Sequence, residues 1–244
     1  MDRFNYENET QFTLSTLDNE GTVVGTIKGH CQVQSGGECQ VIQVILTGKT
    51  GNAPPNIPLN LLLIAKCYDP AYILGEADEG FSTTGREKAE WQYESEFKTY
   101  SQHLRLLGNE KLTPVFYGAF DWDHYMKIIL LEYLCPPRWV RLDEHLKTIQ
   151  LPQKRQAYDL ILRKMQRLQD TAKLCIRDIA TRNIFVSLKS KAAEIESVAF
   201  IDFARVLFEP AAESGDMEYM AHIYYSSKLE EAQHELHYAI LGYI

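Results

Sequence analysis

A change of hydrophobic period near Asp69-Pro70 divides this chain into two kinds of fold-forming sequence. Before it, apolar residues come in short β-prone runs separated by turn residues. After it, they recur mostly every three or four places, the helix period. Blocks of both kinds in one chain imply an α+β fold. The first run, Gln11 to Leu17, is closed by Asp18-Asn19-Glu20-Gly21. The second, Thr22 to Gln34, is rich in Val, Thr and Ile, and Ser35-Gly36-Gly37-Glu38 then reads as a hairpin turn. Cys39 to Thr47 is a third strand, and Gly48 to Pro58 reads as a loop of Gly, Asn and Pro. Leu59 to Lys66 is an almost wholly apolar strand that ends on one lysine.

Glu87 to Leu107 carries Trp91, Phe97, Tyr100, Leu104 and Leu107 at helical spacing. Two strands, Val115 to Phe120 and Met126 to Tyr133, flank a polar hairpin tip at Asp121 to His124. Cys135-Pro136-Pro137 interrupts both periods, so the chain is expected to divide there. Residues 1–134 form a β-rich lobe with one helix, and residues 135–244 a mainly helical lobe. The second lobe is expected to hold helices over Leu142–Ile149, Gln153–Ala172 and Asp216 to about His237. Short strands are expected around Ile184–Val186 and Val198–Ile201. Two lobes with one crossover leave a cleft, a common place for a ligand.

Composition narrows the partners. The 244 residues are 45% apolar and 24% charged, ordinary for a globular protein. The 25 Lys and Arg against 33 Asp and Glu give a net charge of −8, with the positives scattered singly. That argues against duplex nucleic acid or an anionic membrane as partner, since both need a basic footprint. A small anionic ligand held by one or two placed cations is compatible. Five cysteines without a C-x-x-C pair read as reduced core thiols. Met1 to Tyr6 has no basic-then-apolar leader pattern. The apolar run around Leu61–Ala65 is far short of the ~20 residues of a membrane span. A soluble cytoplasmic protein is expected.

The most informative segment is Ile176-Arg177-Asp178-Ile179-Ala180-Thr181-Arg182-Asn183, a loop between a long helix and a β-prone triplet. Phe200-Ile201-Asp202-Phe203-Ala204 follows, with an aspartate at the end of an apolar strand. These residues resemble the protein-kinase-like superfamily, whose catalytic loop reads H-R-D-L-x-x-x-N and whose metal loop reads D-F-G. Ile64-Ala65-Lys66 is similar to the V-A-I-K strand, and Leu130 to Leu134 looks like the hinge that meets an adenine. The resemblance implies a two-lobed kinase-like fold, with an antiparallel β-sheet and one helix in the first lobe and a short, mainly helical second lobe. It also implies a γ-phosphoryl transfer from ATP, with Mg²⁺, to a hydroxyl acceptor.

Within that resemblance each residue has a role. Lys66 neutralises the α- and β-phosphates and is held forward by a helix carboxylate, for which Glu96 is preferred to Glu94. Asp178 orients or accepts the proton of the attacking hydroxyl. Asn183 and Asp202 are oxygen donors suited to Mg²⁺. Gly36 and Gly37 cover the phosphates with backbone N–H groups, and Glu132 and Leu134 meet the base.

Departures from the family pattern qualify the substrate. Ile176 stands where the family has His, Ala204 replaces the Gly of D-F-G, and Gly36-Gly37 are adjacent without G-x-G-x-x-G. No A-P-E follows Asp202, and the stretch after it is too short for the usual substrate-docking helices. The sequence is therefore closer to compact fungal-type or small-molecule-type kinases, with a small metabolite favoured over a protein as acceptor. The same departures support an alternative, a pseudokinase that binds or scaffolds without transfer. Other signals read as structural. Gly48-Lys49-Thr50 ends like a P-loop but no helix follows, and His234-Glu235-Leu236-His237 lacks the i,i+4 histidines of a zinc helix. Asp121 and Asp123 read as a solvated hairpin tip, and Cys175 as a core thiol.

Overall fold

In the computed structural model, which describes residues 8–30, 39–70, 77–78, 81–82, 85–107, 110–123, 126–177, 179–189, 194–209 and 216–242, the β-prone runs pair until they close on themselves. Strands β1 (Gln11–Thr16), β2 (Gly21–His30), β3 (Gln40–Gly51) and β4 (Leu62–Tyr68) form consecutive antiparallel pairs. A two-residue pair, β5 (Ala77–Asp78) with β6 (Phe81–Ser82), and helix α1 (Gly85–Lys98) come next. Then β7 (Phe116–Trp122) and β8 (Met126–Glu132) make a hairpin. β8 pairs with β4, and β7 reaches β1 through Ser15–Asp121 and Thr16–Phe120. The order β1-β2-β3-β4-β8-β7 is a closed barrel. The sequence predicts the antiparallel sheet but not its closure, because two residue pairs at a strand end leave no periodic signal.

Alternation fills the barrel. Phe12 and Leu14, Val23 and Ile27, Ile42, Val44 and Leu46, then Leu63, Ala65 and Cys67 all join one buried cluster with Phe120, Trp122, Ile128 and Leu130. Curvature is taken up at bulges, where glycine is needed. At Gly25, beside the register shift of β2, an added Cβ would lie 2.6 Å from the Phe12 ring. Gly118 sits at the β7 bulge with φ +144°. β3 runs on to Gly51, so Gly48, Lys49 and Thr50 are ladder residues paired with Val24, Val23 and Thr22 rather than a loop. β4 starts later than expected because Leu59 to Leu61 form a bend, in which the Asn60 N–H donates to the Leu46 carbonyl at 2.8 Å. It also ends later, on Tyr68.

The chain divides into two compact units, Met1–Phe97 with Val115–Tyr133, and Lys98–Pro114 with Leu134–Ile244. Residues 98–114, counted with the first half by sequence, pack in the second unit. There the expected long helix gives way to a π-helical turn (Thr99–His103) and a 3-10 turn (Leu104–Leu107). His103 Nδ1 donates to the Ala172 carbonyl at 2.7 Å. The second unit continues with β9 (Trp139–Arg141), α2 (Leu142–His145), α3 (Leu151–Ala172), β10 (Leu174–Ile176), β11 (Ile184–Leu188), β12 (Ile195–Phe200), β13 (Val206–Phe208) and α4 (Asp216–Leu241). α3 buries Ala157, Ile161, Met165, Leu168 and Ala172, one helical stripe. It stops at Lys173, a left-handed residue (φ 55°) whose N–H returns to the Gln169 carbonyl. α4 buries Tyr225, Ala232, Leu236 and Ile240, and Tyr158 of α3 meets His237 edge-on at 5.2 Å. No helix among the described residues is long and apolar enough to cross a membrane.

Candidate functional site

Two groups of polar residues stand out, one in each unit. The first arises from the pleat of β4. Leu63, Ala65 and Cys67 point into the barrel, so Lys66 and Tyr68 share the opposite face. Helix α1 brings a carboxylate to that face. Lys66 Nζ lies 2.5 Å from Glu96 Oε2, and the Tyr68 hydroxyl donates to the same oxygen. Lys66 is 6% exposed, Tyr68 1% and Glu96 0%. Glu94 is exposed, so of the two candidates it is Glu96 that meets the lysine. Tyr68 is the residue that sequence reasoning missed. Its signal was parity: on one strand, a lysine and a hydroxyl two places apart must face the same way.

α1 itself is unusual, because the side it buries carries three polar residues beside Ala89 and Tyr93. Gln92, Ser95 and Glu96 are buried while Trp91 is 52% exposed. The apolar spacing that predicted the helix therefore marked the wrong face in its first turns. Gln92 is fully buried, and neither amide atom has a hydrogen-bond partner among the described residues. The Tyr93 ring packs edge-on against Tyr68 at 5.7 Å and stacks on Phe97 at 5.6 Å. Burial, and then the neighbouring Glu96 carboxylate, push the Tyr68 phenol well above its ordinary value, so it remains a donor at neutral pH.

The second group sits where two short ladders break. β10 pairs with β13 through Ile176–Val206, and β11 pairs with β12 through Ile184–Phe200. Arg177 with 179–183 on one side and 201–205 on the other lie between these ladders and meet at both ends. Arg177 N–H donates to the Arg205 carbonyl at 3.0 Å at one end, and Ile201 N–H to the Asn183 carbonyl at 2.9 Å at the other. Asn183, at the end of a 3-10 turn (Thr181–Asn183), is 9% exposed and thus beside the residue that precedes Asp202. Asp202 is half-buried with φ +67°, a left-handed conformation uncommon outside glycine and tolerated best by Asp and Asn. Backbone strain of this sort concentrates at functional sites. Phe203 is fully buried and meets Tyr100 edge-on at 5.5 Å. Asp178 lies outside the described residues, as do Gly36 and Gly37.

The remaining candidates are placed as follows. The Glu132 N–H donates to the Val115 carbonyl at 2.8 Å, and Glu132 Oε2 accepts from the Val115 N–H at 3.2 Å, so neither the Glu132 N–H nor that oxygen is idle. Leu134 belongs to a small apolar cluster with Trp139 and Ala199. Ile176 is 2% exposed and pairs with Val206 in the β10–β13 ladder. Asp121 forms an ion pair with Lys127. Burial pushes the Cys175 thiol up to about 11, which keeps it protonated at neutral pH. No protein-family model matches this chain, and no curated protein matches it in sequence.

Proposed function

We propose that this protein is an ATP- and Mg²⁺-dependent phosphotransferase acting on a hydroxyl acceptor, with a small metabolite favoured over a protein. The observation that carries the reading is the buried pair of Lys66 and Glu96, joined across thirty positions of sequence. Burying two charges costs several kcal/mol per ion, so such a pair is weak evidence for stability and better evidence for use. In this reading Lys66 is the point charge for the nucleotide phosphates, and Glu96 keeps its ammonium in place.

Asn183 and Asp202 fit a magnesium ion by chemistry. Both offer hard oxygens, and Mg²⁺ takes only one or two carboxylates while keeping water and phosphate oxygens. When bound there, the ion supplies neutralisation of charge on the phosphate oxygens. Asp178 orients the acceptor hydroxyl and takes its proton as the new P–O bond forms and the bond to the ADP oxygen breaks. Ile176 and Ala204 do not remove any of these groups.

The test is calorimetry with Mg-ATP, followed by transfer of labelled phosphate into a metabolite extract. Binding that is lost in Lys66→Met and loses its magnesium dependence in Asp202→Asn supports the reading. Asp178→Asn separates enzyme from pseudokinase: it keeps binding and abolishes transfer in an enzyme, whereas a pseudokinase shows no transfer to abolish. Absence of Mg-ATP binding at millimolar concentration sinks the phosphotransferase reading.

A further inference from the structure

We propose that Tyr68 is a positioning residue, whose hydroxyl holds Glu96 and sets how firmly Glu96 retains Lys66. Its consequence for ligand binding rests on the nucleotide reading above; its chemistry does not. Lys66 and Tyr68 project from the same face of β4 and both end on Oε2 of Glu96. A carboxylate oxygen has two lone pairs, and these two donors engage the same one. The phenol hydrogen bond draws charge away from the oxygen that faces the ammonium. Lys66 thus keeps a counter-ion without being locked to it, which suits a cation that must also meet phosphate oxygens. The ring is fixed independently of its hydroxyl, by Tyr93 at 5.7 Å and 70°. Tyr68→Phe therefore removes the hydrogen bond and keeps the packing.

With the hydroxyl gone, more of the charge of Oε2 falls on Lys66, which holds its proton to higher pH. Labelling of Lys66 by a small amine-directed reagent at alkaline pH, read by mass spectrometry, is expected to slow roughly tenfold in Tyr68→Phe. Mg-ATP is expected to bind roughly tenfold more weakly. In a Glu96→Gln background, adding Tyr68→Phe should change neither quantity, since the hydroxyl acts only through Glu96. Labelling that is unchanged in Tyr68→Phe, or that changes equally with Glu96→Gln present, overturns the assignment. A hydroxyl that merely stabilises the fold lowers the thermal midpoint and leaves the pH profile of labelling where it was. Failure of the nucleotide reading looks different: the wild-type protein binds no Mg-ATP, while the labelling comparison still decides for or against Tyr68.

Discussion

Two buried polar side chains converging on one oxygen of a third form a small charged centre with little exposure to water, and its energetics can be separated from its use. Removing one partner leaves the other charge buried and uncompensated. Lys66→Met is therefore expected to destabilise the protein by about 3–5 kcal/mol, read as the urea midpoint. Removing the whole centre with Lys66→Met, Tyr68→Phe and Glu96→Leu is expected to restore most of that stability, because apolar replacements of a buried pair are near neutral or better. The triple variant should still bind no Mg-ATP. If it remains as unstable as the single variant, the trio is there to hold the unit together, and the argument from burial to function fails. Gln92 offers a contrast at the preceding turn of α1. A buried amide without partners among the described residues costs its desolvation with no return, so Gln92→Leu is expected to raise stability by about 1 kcal/mol in the same assay. Lys66 and Glu96 were legible in the sequence because each sits at a definite place on a periodic element. Tyr68 was not, because the strand was read as ending at Lys66. Asp202 was legible as a residue type, but its left-handed backbone was not, since no local spacing encodes φ.

Elements of three residues carry the second group, and they explain why its loops are aligned. β10 and β13 are too short for a period of two to repeat, so nothing in Leu174–Ile176 or Val206–Phe208 announced a ladder. The β11–β12 hairpin, longer and richer in Val and Ile, was read correctly in outline. Once both ladders exist, residues 179–183 and 201–205 are anchored at their ends, and the positions of Asn183 and Asp202 follow. β10 also supplies a measurable pH dependence. Cys175, in its middle, has its thiol raised by burial from 9.0 to about 11, with Arg177 opposing and Glu231 and Glu235 adding to the rise. The unfolded chain loses this proton at lower pH than the folded one. The contribution is thus fully present below about pH 9 and is lost as pH rises through 11. Urea midpoints measured across that window should fall, and Cys175→Ala should make the fall shallower. A slope identical in the two proteins would place the thiol in contact with water in the folded state.

At the scale of the whole molecule, α+β composition and antiparallel strands follow from the two hydrophobic periods, whereas barrel closure depends on Ser15 and Thr16 meeting residues more than a hundred positions away. Long-range pairing of that kind is decided by the assembled sheet and not by any window of sequence. The assignment of residues 98–114 to the second unit has the same origin, since Leu104 and Leu107 are apolar at helical spacing wherever they pack. The acidic balance of −8 leaves an anionic ligand dependent on a few placed cations, of which Lys66 is the buried one argued for here. The two polar groups lie in different units, so the effect of Mg-ATP on hydrogen exchange is read in each unit by itself. Saturating Mg-ATP at about 100 times its Kd stabilises the bound state by about 2.7 kcal/mol. Slower exchange should then appear in β4 and α1 of the first unit and also in 181–184 and 198–203 of the second. Lys66→Met should remove the protection of β4 and α1, and Asp202→Asn that of 181–184 and 198–203. Protection confined to one unit would mean that the other unit's residues do not meet the nucleotide, and the phosphotransferase reading would lose the role it gives them.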